Sequence, residues 1–188
     1  MVRSHKWILK VAATLGAVLI VGVLVLLTYQ RFSDGPTGPL TGGSFRTGEE
    51  VPAPIASWDT LEGDFEFELV DARSSRSAVG ILLDDALYIT CDLGFIWNRL
   101  PTGTGRNILH IIWWFKNWHE KAQLDGRIRI RKDNKIYPAN IVLVTDPNDI
   151  ERLKRTMEEL ANEFFAPNKM GPRPEQEPNE VLFFRVTG

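Results

Sequence analysis

No charged residue lies between Val11 and Gln30, while Arg3, Lys6 and Lys10 stand directly ahead of that run. A charge in a bilayer interior is costly, so a stretch like this is compatible with only a few environments. As a helix rising 1.5 Å per residue, Val11 to Tyr29 extends about 28 Å, close to the hydrocarbon thickness of a membrane. A cleaved leader would have a shorter apolar core followed by small residues. Here Leu26-Leu27-Thr28-Tyr29-Gln30-Arg31 contains no such site, which predicts an uncleaved anchor. The basic residues ahead of the span place the N-terminus in the cytoplasm and the rest of the chain beyond the inner (cytoplasmic) membrane, in an extracytoplasmic or periplasmic position.

The remainder is compatible with one folded unit. Among 188 residues, 44% are hydrophobic and 24% charged, an ordinary balance for a globular core. A formal net charge of -2 lacks the basic field used to neutralise phosphates, so nucleic acid is not an expected partner. A single cysteine, Cys91, excludes an internal disulfide, a CxxC redox pair and a thiolate zinc cage. It reads more readily as a small buried hydrophobe than as a nucleophile.

Three segments follow from this reading: a tail and transmembrane anchor over 1–30, a Gly/Pro-rich tether or wrapping arm over 31–57, and a domain over 58–188. The arm contains Asp34-Gly35-Pro36, Gly38-Pro39 and Gly42-Gly43, which disfavour regular structure, yet Phe45, Val51 and Ile55 are available to pin it to the domain. Beyond it the hydrophobic period becomes two. Phe65, Phe67 and Leu69 alternate with Asp64, Glu66 and Glu68, predicting a half-buried strand. Ala78–Leu83 and Ala86–Cys91 flank Asp84-Asp85, and Arg127–Arg131 and Lys135–Val144 flank Lys132-Asp133-Asn134, so both pairs read as hairpins. In the second hairpin Arg127, Arg129 and Arg131 form a basic stripe opposite Ile128 and Ile130. Val181–Val186 supplies a sixth strand.

Two helices interrupt the strands. Asp146 is a good N-cap, Pro147 suits the first helical position, and Ile150, Leu153, Met157, Leu160, Ala161 and Phe164 recur at helical spacing. The other helix is expected from Ile108 to Leu124. The fold class that follows is mainly β (α+β): a single transmembrane helix, then a six-stranded antiparallel barrel with two helices.

This order of elements resembles the split β-barrel of flavin-binding proteins, in particular the deazaflavin-dependent nitroreductase-like branch. The likeness spans roughly Phe65 to Val144 plus the last strand. It is carried by Ala72-Arg73-Ser74-Ser75-Arg76-Ser77 at the second strand, Thr90-Cys91-Asp92-Leu93-Gly94 after the third, and Trp114-Phe115-Lys116-Asn117-Trp118 leading to Asp125-Gly126-Arg127. The resemblance implies a phosphate-bearing redox cofactor, FMN or a deazaflavin. Arg73, Ser74, Ser75, Arg76 and Ser77 would hold its phosphate, and Asp92, Gly94 and Trp97 would lie in the loop over its ring. Arg and Ser at a strand start suit phosphate chemically, and they equally suit a solvated turn. The two glycines of the family's turn are absent here, and Asp92 is an anion.

The segment Ile108 to Trp118 holds three of the six tryptophans and has no polar face before Lys116. A helix of this kind is either buried in the core or covered by a bilayer interface, a substrate or a partner, with Ile112, Trp113, Trp114, Phe115, Trp118 and His119 as the contact residues. His119 could donate a proton or simply face solvent on a helix. No histidine spacing suggests a metal site, and no GxSxG, Walker or GxGxxG pattern is present. Two functions are kept, the first as the main reading and the second as its alternative. One is a membrane-anchored reductase or binder of a redox ligand such as a quinone. The other is an accessory subunit without cofactor, partnered by a membrane complex or by a second copy as a homodimer. The lipid bilayer, met through Val11 to Tyr29, is a partner in both.

Overall fold

Phe65, Phe67 and Leu69 turn inward and their acidic neighbours outward, and this alternation, repeated along neighbouring strands, closes the sheet around one core. The computed structural model describes residues 2–37, 40–55, 57–93, 117–164 and 181–188. In chain order these contain α1 (Val2–Phe32), β1 (Glu49–Glu50), a 3-10 turn (Asp59–Leu61), β2 (Gly63–Leu69), β3 (Ser74–Leu83) and β4 (Ala86–Asp92). There follow α2 (Trp118–Leu124), β5 (Arg127–Lys132), β6 (Lys135–Leu143), α3 (Pro147–Phe164) and β7 (Val181–Thr187).

The strand order β6-β5-β2-β3-β4-β7, with β7 returning to β6, makes a closed six-stranded antiparallel barrel, and β1 adds to β6 in parallel. The expected architecture is therefore present. Closure leaves no long free edge, which removes the usual route to edge-to-edge association. Inside are Phe67, Leu87, Ile89, Ile128, Ile130, Phe184 and Val186, each at most 2% exposed, with Trp118 of α2 among them.

Two features differ from the sequence reading. The second strand begins at Ser74, not Ala78, because Ser74 to Ser77 continue the ladder opposite Leu69 to Glu66. The arm also contains a strand, β1, since the Glu49 and Val51 N–H groups donate to the Asn134 and Ile136 carbonyls (both 2.8 Å). Of the helix expected over Ile108 to Leu124, Trp118–Leu124 is helical and the residues before Asn117 lie outside the described residues. The Asp146 cap is present: its Oδ1 accepts from the Asn148 N–H at 2.7 Å.

The outside of the barrel has two covers. On β3, β4 and β7, α3 lays Leu153 and Ala161 over Ile81, Tyr88 and Phe183, forming a second apolar core. On β2, β5 and β6 the cover is the arm. Cross-strand register sets Glu66 beside Arg131 and Glu68 beside Arg129 on the outer face. Glu68, its side chain 4% exposed, accepts from Arg129 Nη2 at 2.5 Å and from the Phe45 N–H at 3.0 Å. Arg131 donates to Glu66 at 2.7 Å and to Asp34 at 2.8 Å, and its guanidinium lies 4.3 Å from the centre of the Phe45 ring. Gly35, at φ +86°, passes so close to the Arg131 guanidinium that a side chain there would collide with it. The arm therefore wraps the barrel as a strap.

Asp34 joins the two ends of the strap. Burial pushes its carboxyl up, but hydrogen bonds from Thr47, the Arg46 N–H and Arg131 outweigh this and hold it at about 2. A carboxyl depressed in the folded state stabilises above its unfolded value of 3.8 and loses that contribution as pH falls through about 2. Asp34→Asn should therefore cost about 1–2 kcal/mol at neutral pH, with the deficit shrinking between pH 4 and 2, as read by denaturant titration across that range. Removing the more buried carboxylate, in Glu68→Ala, should cost about 3 kcal/mol, because Arg129 and the Phe45 N–H lose their acceptor together.

Candidate functional site

Val70 to Arg73 form the turn between β2 and β3, and this end of the barrel also holds the last residues of β4 and the first of β5. Here α1 joins the domain. Gln30 is 7% exposed, and Arg31 Nη1 donates to the Arg73 carbonyl at 2.6 Å and to the Ala72 carbonyl at 3.4 Å. The helix thus ends on the β2–β3 turn with no free tether between them.

Strand alternation divides the Arg/Ser run at this end. Opposite Leu69 and Phe67, Ser74 and Arg76 face the barrel interior; opposite Glu68 and Glu66, Ser75 and Ser77 face outward. Arg73 stays in the turn at φ 46°, exposed, with its carbonyl held by Arg31. Ser75 is engaged by the strap: its Oγ donates to the Gly43 carbonyl at 2.6 Å, and its backbone exchanges two hydrogen bonds with Gly42. Gly42 must lack a side chain, because a Cβ there would strike the Gly35 backbone. Ser77 lines an open groove of about 870 Å³ on the outer face, with Asp34, Asp64, Glu66, Arg131 and Lys132.

The interior pair is chemically different. Arg76 Nη1 donates to Thr41 Oγ1 at 3.3 Å, whereas its buried Nε has no hydrogen-bond partner. Burial lowers its pKa to about 10, opposed by the nearby Cys91 sulfur, so the group stays cationic at neutral pH. Ser74 Oγ, in a residue 7% exposed, is also buried without a partner, as is Gln30 Oε1. An unmet donor beside a half-buried cation is the chemistry of an anion or carbonyl site.

The other expected site residues disperse. Asp92 is 6% exposed and pairs with Val181, on the face covered by α3 and opposite to that of Cys91 and Arg76. Trp118 is 2% exposed and packs edge-on against Phe67 at 5.1 Å, so it is core. His119 is half-buried on α2. Gly94, Trp97, Ile112, Trp113, Trp114 and Phe115 lie outside the described residues. Cys91 is fully buried. Among the described residues no group of three His, Cys, Asp or Glu side chains could hold a metal.

For a flavin or deazaflavin, the residues fit in part. Ser74 and Arg76 share one side and keep unmet donors, while Ser75 and Ser77 are turned to the other side. Thr41, Gln30 and Arg31 contribute to this end without having been expected. Their only signal was position, beside a long apolar run and a Gly-rich arm. No protein-family model matches the chain, and no curated protein matches it.

A cation held with an unmet donor does not stabilise the fold. Arg76→Met should leave stability unchanged or raise it by about 1 kcal/mol, since leaving a buried donor unpaired costs at least that much. Thermal unfolding of the two purified proteins checks this; a clear drop would make the guanidinium a structural strut.

Proposed function

We propose that the chain is a single-pass protein of the inner membrane whose barrel stands outside the cytoplasm and works as a non-catalytic accessory subunit of a membrane complex, set in a fixed pose at the bilayer surface. One observation carries this reading: the last turn of α1 is hydrogen-bonded to the β2–β3 turn through Arg31, and the strap is bound along the barrel through Asp34, Phe45 and Ser75. α1 has a stretch from Lys10 to Phe32 long and apolar enough to cross a membrane. An enzyme that only needed tethering could hang from a flexible linker. A rigid junction transmits orientation, which matters when the barrel must meet a neighbour embedded in the same membrane.

A second reading rests on Arg76 and Ser74. Their unmet donors suit the phosphate of FMN or a deazaflavin, or the carbonyl of a quinone-like ligand, and would make the protein a redox-ligand binder at the membrane surface.

Purification of the full chain in mild detergent, followed by an absorbance spectrum and mass analysis, separates the two. A colourless protein that co-purifies in fixed proportion with another membrane protein supports the subunit reading; a yellow protein without partners supports the redox reading. In the second case, Arg76→Met should weaken FMN or deazaflavin binding by about 1.5–3 kcal/mol, the worth of one charged hydrogen bond. A reporter active only outside the cytoplasm, fused after Gly188, should be active. Activity of a cytoplasm-only reporter at that position would reverse the topology.

A further inference from the structure

Outside α1, the most exposed large apolar side chain among the described residues is Leu124, at 89%. It ends α2, three residues before Arg127, whose carbonyl accepts from the Val70 N–H at 3.2 Å. Val70 begins the same β2–β3 turn that α1 grips through Arg31. Val142, 59% exposed, lies on β6 two residues beyond Asn140, the partner of Arg127, and so belongs to this end as well. Its neighbour Ile141 is buried in the barrel, so Val142 faces outward.

The level of this end relative to a bilayer follows from α1. Tyr29 and Phe32 are each 66% exposed at the end of the apolar stretch, where aromatic side chains mark the boundary between hydrocarbon and headgroups. Arg31 lies between them and reaches the turn with its own side chain. The polar layer on each side of a bilayer is only about 5–8 Å thick, so a turn in contact with Arg31 lies in or on it. Exposed Arg73 adds a guanidinium at that level, suited to lipid phosphate.

We propose that the barrel end formed by the β2–β3 turn, the α2–β5 corner and the last residues of β6 is a lipid-contacting surface, with Leu124 and Val142 seated in the bilayer interface and Arg73 among the headgroup phosphates. This rests on the anchor reading above and goes beyond it, because an anchored barrel could equally stand clear of the lipid. It explains why the most exposed large apolar side chain among the described residues sits at the end where the anchor arrives. Apolar groups at an interface favour partial burial, and Leu124 gains this with no change in the fold.

Full-length single-site variants Leu124→Cys, Val142→Cys, Lys135→Cys and Leu19→Cys, labelled with an environment-sensitive fluorophore and reconstituted in phosphatidylcholine vesicles, test this. Cys91 is fully buried and stays unlabelled in the folded protein. Lys135 reports the opposite end of β6, and Leu19 the middle of the span. The expected result is loss of fluorescence at Leu19 with deeply brominated lipid, loss at Leu124 and Val142 with bromine near the headgroups, and none at Lys135. If Leu19 is quenched while Leu124 and Val142 match Lys135, the anchor reading stands and the docking surface is overturned. If Leu19 is not quenched, the anchor reading fails and takes this inference with it. Blue-shifted emission at Leu124 without quenching would show cover by protein, a second copy included, and would also overturn the proposal.

Discussion

A carboxylate that is almost fully buried on the outside of a barrel needs a reason to be there, and Glu68 has one. One of its oxygens, Oε2, accepts from a guanidinium of β5 and from a backbone N–H of the strap, so three segments distant in sequence depend on one charge. Removed from water without these donors, the group would cost several kcal/mol. The strap must therefore lie where it does for the buried Glu68 carboxylate to keep its donors. Phe45, placed beneath Arg129 and Arg131, adds apolar area and ring contact to the same joint.

From that joint the rest of the architecture follows. The outer face of the barrel carries two covers of different kinds. Apolar outward residues on β3, β4 and β7 are covered by an amphipathic helix, the ordinary solution for a greasy face. Charged outward residues on β2 and β5 are covered by an irregular strap, whose carbonyls and N–H groups can serve as partners. Because the strap begins where α1 ends, covering the barrel and joining it to the apolar helix are one structural act. The apolar helix α1 is therefore coupled to the sheet, from Arg31 on the β2–β3 turn to Arg131 on Asp34.

The interior end of the barrel shows the opposite economy. Arg76 and Ser74 occupy positions where an apolar pair would pack at no electrostatic cost, yet each has a polar atom left unmatched. Such groups weaken a fold and persist most readily where something outside the chain completes them. The groove along Asp34, Glu66 and Arg131 is less suggestive, because its charges already satisfy one another.

Local signals in the sequence were enough for most of the described elements. Charge exclusion from Val11 to Gln30 marks the apolar helix, alternation of Phe65, Phe67 and Leu69 marks a strand, and Asp146-Pro147 marks the start of α3; each is a preference expressed within a few residues. The alternation of Arg127, Arg129 and Arg131 likewise showed a basic outer stripe. What covers that stripe was not legible, because a Gly/Pro-rich arm carries no periodicity and its contacts with Glu68 and Arg131 arise only when distant strands come together. The same limit applies to the Arg/Ser run. As a string, Arg73 to Ser77 looks like five converging donors. The pairing register with β2 decides that Ser74 and Arg76 face the core while Ser75 and Ser77 face away, and register is a property of two strands, invisible in either alone.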